Sequence, residues 1–181
     1  MVQISKTAFS DAKNFLLMAR VLARLESERA NNEWLDSVLS EVENENGYKE
    51  KVPLVNQCVF LSMAYSTLLW LRESYFKQDS SAKKVLEEKV KPLFLKYSID
   101  IQKGKEAKEL GDSSPIEFIR RMRNALGHAN VAIEEGAFRF EDANPRDKDD
   151  YVIITMSWHA LGELTEMIFS AGNEILYEKT A

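Results

Sequence analysis

Apolar residues along this chain recur at three- and four-residue steps to about residue 90 and again from 116 to 129, alternate for one stretch, and then return to helical spacing. That pattern restricts the fold to a mainly helical protein with one small antiparallel β segment before its last helix. Phe9, Leu16, Ala19 and Ala23, flanked by Ala12, Phe15 and Leu22, mark a first helix. Trp34, Leu35, Val38, Leu39 and Val42 mark a shorter second one, and Glu43-Asn44-Glu45-Asn46-Gly47 reads as the loop after it. Pro53 suits the first turn of a third helix running to about Phe76, apolar on most faces and so expected at the centre of a bundle. Asp79-Ser80-Ser81 can cap a short helix through Val85, Leu86 and Val90, which Pro92 is expected to end or kink. From Leu93 to Gly111 the signals are mixed: Phe94, Leu95 and Tyr97 look packed, and Lys103 to Glu109 look solvated.

The best helix start in the chain is Ser114-Pro115-Ile116-Glu117, which combines an N-cap serine, a first-turn proline and the glutamate of a capping box. Ile119, Met122, Leu126 and Ala129 form its apolar stripe. Beyond it, Val131-Ala132-Ile133, the tight turn Glu135-Gly136 and Ala137 to Phe140 predict a β-hairpin. A polar loop, Asp142 to Asp150, then leads to a third strand, Tyr151 to Met156. Ser157 caps a last helix carrying Leu161, Leu164, Ile168 and Ile175. With no repeat or linker visible, the chain reads as one domain. The bundle covers about 5–129, the β segment about 130–156 and the final helix about 158–178.

Composition narrows the function class. The single cysteine, Cys58, excludes an internal disulfide framework, and its neighbours Val59, Phe60 and Leu61 suggest a buried, inert thiol. The start, Met1 to Lys6, has no basic and apolar regions of a secretory signal, and the most apolar stretch, Val59 to Leu71, is short of the roughly 20 residues a bilayer span needs. A cytoplasmic location with no membrane contact is therefore expected. The formal net charge of −5 argues against broad electrostatic capture of nucleic acid. Its distribution matters more: Pro115 to Ala129 carries Glu117, Arg120, Arg121 and Arg123, a local +2, leaving −7 for the rest. A small basic patch on an acidic body suits local capture of a phosphate.

That patch contains Arg123-Asn124-Ala125-Leu126-Gly127-His128. A guanidinium can stabilise a pentacoordinate phosphate and an imidazole can move protons near neutral pH, a minimal kit for cleaving RNA without a metal. At 100° per residue, Arg123 falls near the edge of the apolar stripe, whereas Arg121, Asn124 and His128 fall on the opposite, polar face. Arg123 and His128 are themselves about 140° apart on an ideal helix. They converge if the helix loosens near Gly127, or if a second subunit supplies the complement.

These residues resemble the HEPN family (higher-eukaryote and prokaryote nucleotide-binding domains), whose signature is Arg, four to six residues, then His, often with a polar residue after the Arg. Arg123, Asn124 and His128 match it, and Arg121 also matches at the longer spacing. The resemblance implies an up-and-down bundle of four to six helices. It also implies a metal-independent endoribonuclease that needs no cofactor and works as a homodimer with both motifs at the interface. Plasmid-borne bacterial members are similar in carrying a β-hairpin after the motif. In such an enzyme His128 would move the proton of the ribose 2′-OH or of the leaving 5′-oxygen. Arg123 would stabilise the phosphorane, Asn124 would orient the histidine or bind a phosphate oxygen, and Arg120 and Arg121 would hold RNA phosphates. The products would be a 2′,3′-cyclic phosphate and a 5′-hydroxyl. Related proteins act in phage defence or as toxins paired with a nucleotidyltransferase-like antitoxin. Others are silent dimers that bind RNA, nucleotide or protein without cleaving.

Other residues carry weaker signals. His159, beside Trp158 at the start of the last helix, is expected to be structural, as are Trp34, Trp70 and the tyrosines of the middle helix. Glu41, Glu43 and Glu45 have no histidine near them and make a poor metal site. Neither a phosphate-binding glycine loop nor a His-Glu-x-x-His element is present.

Overall fold

A computed structural model describes residues 2–68 and 80–177. Among these residues the chain forms six helices and four strands: α1 (Val2–Arg29), α2 (Glu33–Glu45), α3 (Gln57–Tyr65), α4 (Ser80–Lys96), β1 (Asp100–Lys103), α5 (Pro115–Gly127), β2 (Val131–Glu134), β3 (Ala137–Asn144), β4 (Asp147–Ser157) and α6 (Trp158–Tyr177). The molecule is mainly helical with a small antiparallel sheet, as the periodicity requires.

The central place belongs to α6, which packs against α1, α3 and α4. Its buried residues, Leu161, Leu164, Ile168, Phe169 and Ile175, keep helical spacing and meet Phe9 of α1, Met63 of α3 and Leu86, Val90 and Leu93 of α4 in one continuous core. The Ser157 hydroxyl accepts the Ala160 N–H at 3.2 Å and starts this helix as expected. The middle helix expected at the centre begins at Gln57, with Asn56 as its N-cap, and not at Pro53. The Asn56 Oδ1 accepts the N–H groups of Cys58 and Val59, and residues 66–68 continue α3 as a wider turn. Trp70 and the rest of the expected span to Phe76 lie outside the described residues.

Several sequence expectations are corrected. Cys58 is exposed in the first turn of α3, because that turn leads in from the surface. Trp34 is 72% exposed and Tyr65 half-exposed. No residue of α2 is buried, since among the described residues that helix meets the body chiefly through α1; Leu35 and Leu39 of its stripe are half-buried, and Trp34, Val38 and Val42 are exposed. Pro92 does not end α4, which runs on to Lys96. A proline removes only one helical N–H, and the full burial of Val90 and Leu93 against the core holds the helix together across it.

The sheet has four strands in the order β1-β4-β3-β2, one more than the sequence pattern suggests. The added strand, β1, pairs Asp100 with Thr155 through Lys103 with Val152 at the sheet edge. Four residues are too few to show alternation against the surrounding polar sequence. The Glu135-Gly136 turn joins β2 to β3 with Gly136 at φ +72, a left-handed position that suits glycine. The expected polar loop Asp142–Asp150 is mostly strand. β3 extends to Asn144, β4 starts at Asp147, and Asp142 pairs with Val152 in register. On the inward face the row Phe138-Phe140-Asp142 of β3 lies beside Asp150-Val152-Ile154-Met156 of β4, and α5 covers it.

Candidate active site

The site is built on α5. Pro115 occupies its first turn, where a missing N–H costs nothing. Phe118, Ile119, Met122, Ala125 and Leu126 anchor it in the core, with Phe118 edge-on to Phe94 at 5.0 Å. The capping box does not form. Ser114 makes no side-chain cap, and Glu117 turns its carboxylate to the arginines of its own helix instead. A charged partner outweighs a backbone N–H as a hydrogen-bond donor for a buried carboxylate.

Arg121 is not on a solvated face: it is buried, at 4% exposure. Its Nε donates to Glu117 Oε1 at 3.2 Å, its Nη1 to Asp142 Oδ2 at 2.9 Å, and its Nη2 to Asp150 Oδ1. A helical wheel shows the polar face correctly but not what covers it, and here β3 and β4 bring two carboxylates over it. Arg120 lies half-buried at the edge, paired with Glu117 through Nε (2.7 Å) and Nη2. Burial pushes the Glu117 carboxyl up, but the hydrogen bond and charge of Arg120, with the charge of Arg121, outweigh this and hold it below the usual carboxylate range. The Arg121 hydrogen bond holds Asp150 low as well, against a smaller effect of burial.

The motif residues follow one turn later. Arg123 and Asn124 are half-buried, and His128 is exposed. Arg123 Nη1 donates to Asn124 Oδ1 at 2.9 Å, and Asn124 Nδ2 donates to Asp142 Oδ2 at 3.2 Å. The helix stays regular to its end: the His128 N–H still reaches Asn124 O at 3.0 Å. It then closes in a Schellman turn, with Asn130 N–H to Ala125 O at 2.8 Å and Ala129 N–H to Leu126 O at 3.1 Å. The left-handed residue of that turn is Ala129, at φ +56, and not Gly127, which remains helical. His128 is thus the exposed C-cap residue, and the two residues after it, Ala129 and Asn130, line an open depression of about 340 Å³ with Val131, Ala132, Glu141 and Ala143.

The structure therefore brings Arg123 and Asn124 together, keeps His128 one turn beyond Asn124, and places Arg121 in the interior. His159 lies exposed in the first turn of α6. Asp142 and Asp150, which contact Arg121, are not among the candidates read from the motif. Their signal was present: extending the alternation of Phe138 and Phe140 by one step lands on Asp142, and running back from Val152 by one step lands on Asp150. Carboxylates at inward positions demand a buried cation.

Residues 11–175 match the family model described as HEPN pEK499 p136. Comparison with curated proteins and with solved structures gave no match. Among the described residues no helix is long and apolar enough to cross a membrane.

Proposed function

This chain belongs to the HEPN family, and from that premise we propose that it is a metal-independent endoribonuclease acting as a homodimer in the cytoplasm. The observation that carries the reading is the grouping at the end of α5: a guanidinium bonded to an asparagine amide, with an exposed imidazole one turn on. His128 itself is exposed, so a polymer can reach it.

The regularity of α5 through the His128 N–H leaves no loosening at Gly127 to swing His128 toward Arg123. A second copy of the motif is then the route to a complete site, and it also supplies the second imidazole that acid and base roles ask for. In the reaction one His128 accepts the 2′-OH proton as that oxygen attacks phosphorus. The P–O5′ bond breaks, and the His128 of the second copy donates a proton to the leaving 5′-oxygen. Arg123 stabilises the charge that develops on the phosphorane oxygens. Arg120, whose side chain is more exposed than that of buried Arg121, would be the second cation to meet an RNA phosphate.

The test is digestion of a labelled structured RNA in EDTA. Wild type should yield 2′,3′-cyclic phosphate ends, and His128→Ala and Arg123→Ala should each lower the rate by about 100-fold or more. No cleavage by a folded wild-type dimer that still binds RNA would replace this reading with a silent binding module. Growth arrest on expression, relieved by Arg123→Ala, would point to a toxin role and to a nucleotidyltransferase-like antitoxin as its partner.

A further inference from the structure

We propose that Asp142 is the positioning residue of this site, fixing the Asn124 amide and through it the Arg123 guanidinium, with Arg121 and Asp150 holding Asp142 in place. The inference rests on the reading of Arg123 as a cleavage residue.

Asp142 is 8% exposed and continues the inward row of Phe138 and Phe140, where an apolar side chain would pack without any desolvation cost. What the carboxylate adds is a pair of bonds on one oxygen: Oδ2 accepts from Arg121 Nη1 at 2.9 Å and from Asn124 Nδ2 at 3.2 Å. An asparagine amide has two ends of nearly equal shape, one donating and one accepting. An ionised carboxylate only accepts, so Asp142 selects the amide orientation in which Nδ2 points inward. Oδ1 must then point toward Arg123, where it accepts from Nη1 at 2.9 Å. The guanidinium is tethered along its own helix and its rotamer freedom is reduced before substrate arrives.

The network behind Asp142 is built from three elements. Arg121 of α5 joins Glu117 of its own helix to Asp142 on β3 and Asp150 on β4, and Asn144 Nδ2 steadies Asp150 at 3.2 Å. The helix carrying the motif is thereby locked in register against the sheet at the level of Asn124. An isolated ion pair would stop at Arg121, whereas here Asp142 is shared with a motif residue.

The experiment is a double-mutant cycle on RNA cleavage with Asp142→Asn, Asn124→Ala and the pair, each assayed where denaturant titration shows it folded. Asp142→Asn should lower kcat by about ten- to a hundred-fold with KM within about twofold, because binding survives and only the pose of Arg123 is loosened. The double variant should be no slower than Asn124→Ala alone, since both changes abolish the single Asn124 amide orientation that an accept-only carboxylate enforces. Losses that multiply would overturn the proposal while leaving the ribonuclease reading intact. A second measurement needs no variant. The Asn124 side-chain amide protons in the wild type should exchange with solvent at least about tenfold more slowly than those of exposed Asn130. Equal rates would overturn the tether. If the wild type cleaves nothing, the exchange measurement still tests the Asp142 contact, and the failure belongs to the function reading.

Discussion

Two arginines are buried against carboxylates in two separate clusters of this molecule. Arg29, at the end of α1, donates to Asp36 (2.8 Å) and Glu43 (2.9 Å) of α2 and to the Val52 carbonyl at 3.4 Å. Arg121 donates to Glu117, Asp142 and Asp150. In both, the carboxylates hold the guanidinium firmly charged: at Arg29 the hydrogen bond to Glu43 leads, and at Arg121 burial is overcome by the bonds to Asp150 and Asp142. The difference lies in what the carboxylates touch next. Asp36 passes to Lys51 at the surface, and Glu43 accepts the Val52 N–H at 2.8 Å, so that cluster is a clamp between α1, α2 and the following loop. Asp142 passes to Asn124 and Arg123. The same ionic chemistry therefore fastens two elements in one place and, in the other, also reaches the Arg123–Asn124 pair.

The largest effect that separates the two clusters comes from removing the cations. Arg121→Met leaves inward carboxylates unpaired and should cost about 3–5 kcal/mol in urea unfolding, with cleavage falling beyond the loss of folded protein. Arg29→Met should also lower stability, yet leave the cleavage rate per folded molecule unchanged. A cleavage loss in Arg29→Met equal to that in Arg121→Met would erase the distinction.

Acid provides a smaller effect. Glu117 and Asp150 have carboxyls held below the usual range, so their ion pairs contribute stability that is present at neutral pH and lost as pH falls through their lowered values. Urea midpoints should be flat from pH 7 to 5 and drop below about pH 4. Asp150→Asn should lower the neutral midpoint and make the acid drop shallower; an unchanged slope would remove Asp150 from the pairing.

The smallest effect sharpens the position of His128. Ala129 holds φ +56 in the Schellman turn, which costs an alanine about 1 kcal/mol relative to glycine. Ala129→Gly should raise stability by up to about that amount, since part is offset by a more flexible unfolded chain. Its cleavage rate should stay within about twofold of wild type if the hydrogen bonds of the turn, and not the residue at its corner, set the place of His128.

Much of the site was legible along the chain. Pro115 marks the start of α5, and the stripe Ile119-Met122-Leu126 gives its buried side. Glu135-Gly136 gives the hairpin and Ser157 the start of α6. The adjacency of Arg123 and Asn124, with His128 one turn on, needs only the pitch of a helix. Less legible were the capping residue that made no cap, the proline that ended no helix, and the thiol and indole that proved exposed. Each depended on a neighbour distant in sequence.

Local sequence determined the period of each element, its polar and apolar sides, and that Arg123, Asn124 and His128 share the end of α5, because these follow from backbone geometry within a few residues. Tertiary structure alone decided that Arg121 is interior and Arg120 peripheral, that Asp142 and Asp150 meet it, and that Asn124 is bonded to the sheet. A helix's polar side records which residues tolerate water. Whether water or a carboxylate from another strand satisfies them depends on residues about 20 to 30 positions away, which only the folded chain brings into contact.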